Sequence, residues 1–172
     1  VQGDSNVVYL FGSIHLGKAD FYPLNDPIEN AFDSSKFLVV ELNSKSVEFK
    51  KKAPLMMQAG TLEGNKKINE ILSPHVYENL ETKIKSFGLP IENFLSLKPW
   101  MLAMTLTKLQ MQVLGYIPEY GVDNYILEKA KDKEILELES FEFQLSLFGK
   151  IDGEEFLAYT LFDLNSLESI AE

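Results

Sequence analysis

Cysteine is absent from this sequence, and histidine occurs only at His15 and His75. The lack of cysteine excludes disulfide bonds, zinc sites with thiolate ligands and a thiol nucleophile. It does not identify a cellular compartment, because many exported bacterial proteins also lack cysteine. Any imidazole chemistry of this chain therefore depends on one or both of these two histidines.

Basic residues are also scarce. The 172 residues include 16 Lys and Arg against 26 Asp and Glu, which gives a formal net charge of −10. Nucleic acids and anionic membrane surfaces are bound by clustered basic residues, so this balance argues against both as partners. The short clusters at positions 50–52 and 66–67 are typical of solvated helix or loop surfaces.

No apolar run is long enough for a clear membrane span. The best candidate begins at Pro99 and continues to Gly115, but threonine, lysine and glutamine residues interrupt it. Crossing a bilayer requires about 20 predominantly apolar residues, so this segment predicts a helix that is buried or that faces a partner. The sequence also lacks a Gly-x-Ser-x-Gly motif, a P-loop and a dinucleotide-binding fingerprint.

Strand and helix patterns alternate at both ends of the chain. Asn6 to Gly12 is rich in β-branched and aromatic residues and predicts a strand, and a helix follows with Asp26 as its cap and Pro27 at its start. The run "KFLVVEL" predicts a second strand, buried on both faces of a parallel sheet, and "KEILELE" predicts a third. The expected fold class is α/β or α+β, with a small, mainly parallel sheet flanked by helices.

A helical region separates these two ends. Ser73, Pro74 and Gly88 mark the cap, the first turn and the end of one helix, and the helix at Pro99 follows it. We expect residues 1–172 to form a single domain that is incomplete at its carboxyl end, with residues 44–120 as a helical insertion within it. Such an insertion is typical of a lid, a cap or a partner surface.

Three polar side chains lie at the predicted ends of the three strands. His15, Glu41 and Glu139 would meet at one sheet edge if the strands are parallel, because ligands bind beyond the carboxyl ends of such strands. An imidazole with carboxylates can bind a divalent metal or perform acid–base chemistry. Glu134 and Glu137 are equally plausible strand-end acids in place of Glu139.

Each candidate also has a structural explanation. Gly12 and His15 can simply form a turn after the strand, and His75 can be a solvated residue in the first turn of its helix. Asp123 is explained as the cap of the helix "NYILEKAKD". Trp100 is explained as core packing at helical spacing.

The segment "LFGSIHLGKADFYPLNDPIENAFDSSKFLVVELN" resembles the opening of the TraB/GumN (PrgY-like) family. The similarity continues through "LSLKPWMLAMTL", "GYIPEYGVDNYILEKAKDKEILELES" and "FEFQLSLF", so it extends from about Val8 to Phe148. In the family, a Gly-x-x-His turn, a strand ending in Glu, a Lys-Pro-Trp helix start, a Gly-Val-Asp helix start and a Leu-Glu…Gln-Leu segment occur in this order.

The resemblance implies a metal-dependent hydrolase. The family is related to the Tiki-type metalloproteases, which are membrane-associated and cleave secreted Wnt proteins, and bacterial members are implicated in shutting down peptide pheromones. By position, His15 matches a metal-binding histidine, Gly12 its turn glycine and Glu41 the strand-end acid, which would serve as a ligand or as a catalytic base. Glu139 and Gln144 match the Leu-Glu…Gln segment. Mn or Co is the implied metal, in preference to Zn.

One feature departs from the family pattern. Members carry a second Gly-x-x-His in a carboxyl-terminal portion, whereas no histidine follows Glu139 here and His75 is preceded by Leu-Ser-Pro. The chain resembles the first two-thirds of a member, which predicts either a trimmed product or the loss of half the site. Val rather than Met at position 1 is compatible with a removed leader, hence with a periplasmic or membrane-anchored bacterial protein.

The expected function is therefore a peptidase-like hydrolysis in which a metal-bound water attacks a peptide bond of a peptide or protein substrate. The helical insertion, including Trp100, and Gln144 would cover the cleft and select the substrate. We expect little or no activity from these 172 residues alone, and membrane association only through segments outside them. The alternative is a non-enzymatic module that binds a ligand, a peptide or an envelope partner.

Overall fold

A computed structural model describes residues 1–3 and 6–171, with the side chains of residues 165–171 left out. It contains seven α-helices and two strands within these residues. The helices are α1 (Asp26–Ser34), α2 (Val47–Ala59), α3 (Pro74–Ser86), α4 (Pro99–Val113), α5 (Val122–Lys129), α6 (Phe141–Phe148) and α7 (Gly153–Ala171), and the strands are β1 (Phe37–Val40) and β2 (Glu134–Glu137).

The two strands form a parallel sheet, which confirms the predicted fold class. Val39 pairs with Leu136 and Val40 with Glu137 in this register. The pairing continues beyond the strand ends, where the amide of Leu138 donates to the carbonyl of Val40 (2.9 Å) and that of Glu139 donates to Glu41 (3.0 Å). The carboxyl ends of β1 and β2 therefore lie side by side at one edge of the sheet.

The strand predicted over Asn6 to Gly12 is wrong. Only an isolated antiparallel bridge between Gln2 and Val7 forms there, and no described residue hydrogen-bonds to the backbone of Tyr9, Leu10 or Phe11. A strand needs a paired neighbour for its backbone groups, and apolar composition alone does not provide one.

The predicted burial of β1 on both faces is also wrong. Phe37 and Val39 are about half exposed, at 52% and 51%, whereas Leu38 and Val40 are partly buried. Because side chains alternate between the faces of a strand, one face of this sheet is partly buried and the other is open to solvent. The open face includes Leu136, which pairs with Val39 and is 44% exposed.

Tertiary contacts divide the chain into two units. Unit 1 comprises Val1–Phe49 and Leu114–Ser140, and it contains the sheet. Unit 2 comprises Lys50–Val113 and Phe141–Glu172, and it is helical in its described residues.

Unit 1 is held together by polar contacts between α1 and α5. The Tyr125 hydroxyl donates to Glu29 Oε1 (2.6 Å), and Lys129 Nζ pairs with Glu29 while lying 4.9 Å from the centre of the Phe32 ring. Helix α1 begins one residue earlier than the sequence predicts, because Asn25 occupies the N-cap position rather than Asp26.

Unit 2 has a continuous apolar core formed by α3, α4 and α7. Apolar residues recur at helical spacing on each helix, which is why these segments fold as amphipathic helices. The buried members are Ile68, Leu72, Val76, Leu80, Ile84, Leu102, Ala103, Leu106, Leu157, Leu161 and Leu164. Helix α3 follows the predicted pattern, with Ser73 at the N-cap, Pro74 in the first turn and Gly88 at a φ of +72° after its end.

Helix α4 is confirmed as a largely buried helix of unit 2. Its Trp100 is 6% exposed and stacks on Phe148, with ring centroids 4.5 Å apart. In the part of the chain that the structure describes, no helix is both long and apolar enough to cross a membrane.

Candidate functional site

The loop that carries His15 is anchored to the segment that leads into α5. Gly17 and Ile117 exchange two backbone hydrogen bonds (3.1 and 2.9 Å), and the amide of Val122 donates to the carbonyl of Ile14 (2.8 Å). These bonds lie on both sides of His15. The backbone position of the histidine is therefore fixed by residues about 100 positions later in the chain.

Two glycines make this close approach possible. A Cβ atom at Gly121 would lie 2.3 Å from the carbonyl oxygen of His15, and a Cβ at Gly17 would lie 1.9 Å from that of Tyr120. Both distances are far below van der Waals contact, and the opposing atoms belong to the backbone. Any other residue at these positions would push the two segments apart.

The side chain of His15 bonds to Asp123 in the first turn of α5. The His15 Nδ1 to Asp123 Oδ2 distance is 2.6 Å, and the Ser13 hydroxyl donates to Asp123 Oδ1. Asp123 is not the helix cap that the sequence predicts, because Gly121 occupies the N-cap position. The carboxylate instead joins Ser13 and His15, which we call the Ser13–Asp123–His15 array.

The array shifts the titration of both charged members. The hydrogen bond to Asp123 raises the pKa of His15, the loss of some hydration opposes this rise, and the charges of Asp123 and Glu41 add to it. The same bond lowers the pKa of Asp123 and outweighs its partial burial, and the bond from Ser13 lowers it further. An aspartate that stays ionised beside a histidine that holds its proton forms a charge-assisted pair.

This geometry determines which nitrogen of His15 is available for chemistry. With the Nδ1 proton donated to Asp123, neutral His15 keeps a lone pair on Nε2. The His15 side chain is 85% exposed, so Nε2 is open to solvent or a ligand. A carboxylate that holds the second nitrogen of a histidine is the usual support of a metal-binding imidazole, and it also suits a general base.

The two predicted carboxylates lie at the carboxyl ends of the strands. Glu41 directly follows β1, is exposed, and is near enough for its charge to raise the pKa of His15. Glu139 follows β2 and is joined to Glu41 through its backbone amide. The alternative acid Glu137 accepts a hydrogen bond from the Asn43 amide (2.6 Å) and so holds the chain after β1.

The remaining predicted residues have other surroundings. A Cβ at Gly12 would meet no atom within 4 Å, so packing does not require a glycine there. Gln144 on α6 and Trp100 on α4 belong to unit 2, where Gln144 is partly buried. His75 is exposed on α3, and its Nε2 lies 3.3 Å from Asn79 Nδ2.

The described residues do not form a complete metal centre. No three or more His, Asp or Glu side chains among them are grouped closely enough to hold a metal ion. The oriented Nε2 of His15 is a suitable single donor, and Glu41 is the nearest predicted second one. A complete site with three protein ligands would require donors other than these.

Sequence reasoning missed the role of Asp123. The residue is 108 positions from His15, and its place in a helix start offers an ordinary capping explanation. The available indication was its position directly after Gly121 and Val122 in the Gly-Val-Asp helix start.

Comparison with known proteins places this arrangement in a family. The chain is 29% identical over 141 residues to the protein described as Uncharacterized protein YbaP of Escherichia coli (strain K12), and equally to that of Shigella flexneri. Each alignment covers 81% of this chain and 50% of the relative, so the chain spans about half the length of the curated relatives it matches. No solved structure matches it. The TraB/PrgY/gumN family model matches residues 1–172, and the chain therefore belongs to the TraB/PrgY/gumN family.

Proposed function

We propose that unit 1 supplies one side of the active centre of a metal-dependent hydrolase that acts on peptide bonds. The Ser13–Asp123–His15 array carries this proposal, because it presents an oriented, solvent-open imidazole nitrogen within reach of the charge of Glu41. Membership of the TraB/PrgY/gumN family, which is related to the Tiki-type metalloproteases, supports the reaction class.

Each residue has a defined task in this proposal. Ser13 fixes the Asp123 carboxylate, and Asp123 holds the proton on His15 Nδ1 so that Nε2 is the donor atom. Glu41 serves as a second ligand or as the base that accepts a proton from water. A divalent metal such as Mn or Co supplies Lewis acidity toward the substrate carbonyl when bound, and Zn is the less favoured choice.

Three further roles complete the proposal. Glu139 assists Glu41 in catalysis, while Gln144 and Trp100 contribute to substrate selection. The remaining donors come from outside the described residues, so we expect metal binding to this chain to be weak and hydrolysis by it alone to be slight.

Metal binding tests the proposal. The chain has only two histidines, so His75 provides a matched control for His15. Co²⁺ titration followed by visible absorption and by NMR line broadening should perturb His15 first. His15→Ala should abolish that effect, His75→Ala should preserve it, and Glu41→Ala should weaken it. Equal Co²⁺ binding by the His15→Ala variant and the unmodified chain would contradict the proposal.

A peptide-binding assay separates the hydrolase from a binding module. If peptide affinity survives His15→Ala and Glu41→Ala together while no metal binds, the module is the better description. Metal-dependent hydrolysis by the 172 residues that is lost in His15→Ala would support the hydrolase and refute the need for further donors.

A further inference from the structure

Unit 2 contains a cleft between α3 and α7 that is separate from every residue assigned above except His75. Its volume is about 510 Å³, within the range of about 300–1,000 Å³ that is usual for ligand sites. Val76 and Leu161 form an apolar floor, at 9% and 2% exposure, and Ala158 adjoins them. The cleft is therefore supported by the rigid core of unit 2.

The polar groups of the cleft are the Glu155 carboxylate, the Asn79 amide, the His75 imidazole and the Tyr159 hydroxyl. Glu155 carries the carboxylate, and no described residue pairs with it. Asn79 Nδ2 donates to His75 Nε2, which leaves the Asn79 side-chain oxygen as a hydrogen-bond acceptor. The described lining contains no lysine, and with His75 neutral the carboxylate of Glu155 is its one formal charge.

Aromatic rings stand beside this carboxylate. Tyr159 and Phe162 line the cleft and are 63% and 69% exposed, which is unusual for rings of this size on one helix face. Ring faces attract cations, and a planar guanidinium can stack on them while it pairs with a carboxylate. A basic side chain also has an apolar stem that suits the floor formed by Val76 and Leu161.

We propose that this cleft binds a basic side chain of a peptide, arginine in preference to lysine. The guanidinium pairs with Glu155, stacks on Tyr159 and donates to Asn79, while its methylene stem covers the apolar floor. The positive charge of the ligand is inferred from the cleft alone. That the basic side chain belongs to a peptide rests on the proposed function, in which unit 2 helps to select the substrate.

Two short peptides that differ by one uncharged replacement test the proposal. Ac-Gly-Leu-Arg-Leu-Gly-NH₂ is compared with its citrulline analogue by NMR titration, since citrulline keeps the shape of arginine without its charge. We expect the arginine peptide to bind about fivefold more tightly, in line with an exposed ion pair supported by aromatic contact. The lysine peptide should lie between the two.

Glu155→Gln should lower the affinity for the arginine peptide most of the way toward the citrulline level, because the stacking on Tyr159 remains, and it should leave the citrulline peptide unchanged. Glu78→Gln is the matched control, because Glu78 is an exposed glutamate of α3 that does not line the cleft. Equal binding of the two peptides, or an equal effect of both substitutions, overturns the proposal.

Nα-acetyl-arginine amide separates this proposal from the hydrolase. If it binds with the same dependence on Glu155 while His15 binds no metal, the proposal for the cleft is supported and the proposed hydrolase function is refuted. If His15 binds metal but Glu155→Gln does not change the affinity for Nα-acetyl-arginine amide, the hydrolase proposal is supported and the proposal for the cleft is refuted.

Discussion

The two units of the chain bury their apolar residues to very different extents. Unit 2 encloses eleven residues in one core cluster, among them Leu102, Leu106 and Leu157, each at 0% exposure. In the described residues of unit 1, the buried apolar set is limited to Phe32, Val122, Leu127 and Ala130. Unit 2 is thus stabilised mainly by apolar burial, whereas unit 1 relies on hydrogen bonds and ion pairs and carries the candidate site.

The exposed apolar residues of unit 1 show the same contrast. Val7, Val8, Tyr9, Leu10 and Phe11 are between 48% and 83% exposed in unit 1, and one face of its sheet is open. Parallel sheets usually have both faces covered. Stability and candidate chemistry are therefore located in different parts of this chain, and substitutions in the two units should have different consequences.

The largest effect is expected in the core of unit 2. Leu106→Ala should lower the free energy of unfolding by about 2–5 kcal/mol, because it removes buried methyl groups and leaves a cavity. Leu138→Ala in unit 1 should change it by about 0.5 kcal/mol or less, because Leu138 is 73% exposed. Urea unfolding followed by circular dichroism measures both, and similar losses would contradict the contrast between the units.

A glycine substitution tests the anchoring of the His15 loop. Gly121→Ala places a Cβ against the His15 carbonyl oxygen, and the required backbone shift should cost about 1–3 kcal/mol. NMR signals of His15 and Val122 should move, and Co²⁺ binding at His15 should weaken. Gly12→Ala is the control, since its Cβ meets open space. The anchoring is refuted if both variants leave these signals in place.

Fold class and the helices of unit 2 could be predicted because their determinants are local. Ser73, Pro74 and Gly88 mark the limits of α3 within a single stretch of chain, and the spacing of its apolar residues identifies the buried side. The β1 and β2 segments were recognisable from apolar runs.

Features that depend on distant partners were not predictable in this way. The apolar run after Asn6 has the composition of a strand, but strand formation depends on a neighbour with matching backbone groups. Which side chains of β1 are buried depends on the segments that pack against it. The bond between His15 and Asp123 joins residues 108 positions apart, so local spacing could not identify it. The strand that is expected to end before His15 is not formed among the described residues.

Titration of His15 provides a third test, which concerns the Ser13–Asp123–His15 array of unit 1. Asp123→Asn should lower the pKa of His15 toward its ordinary value of about 6.5, because it replaces a charged hydrogen-bond acceptor by a neutral one. NMR of the His15 ring protons against pH measures this change. An unchanged pKa would show that Asp123 does not control the imidazole.

The sign of the linkage to stability follows from these shifts. Since the folded-state pKa of His15 is raised, its contribution to stability is fully present below about pH 6.5 and is lost as the pH rises through the raised pKa. The folded-state pKa of Asp123 is lowered. Its contribution to stability is therefore present above about pH 3.9 and is lost as the pH falls through the lowered value. The pair therefore stabilises unit 1 most at mildly acidic pH.

The smallest effect on stability is expected on the open face of the sheet. Val39→Lys combined with Leu136→Glu should reduce the fluorescence of a dye that binds exposed apolar surface, while the urea midpoint stays nearly constant. Met57→Lys in unit 2, at a residue that is 54% exposed, is the control and should reduce dye binding less. Equal reduction by both would mean that the sheet face is not the main apolar surface.

The paired bonds between Gly17 and Ile117 also bear on how this chain can change in length. They close a loop of about 100 residues, and the entropy of closing a flexible loop grows only with the logarithm of its length. Doubling the loop would cost about 0.6 kcal/mol more. Insertions and deletions within residues 50–113 should therefore alter the histidine site little, so this helical part can diversify while the geometry around His15 is retained.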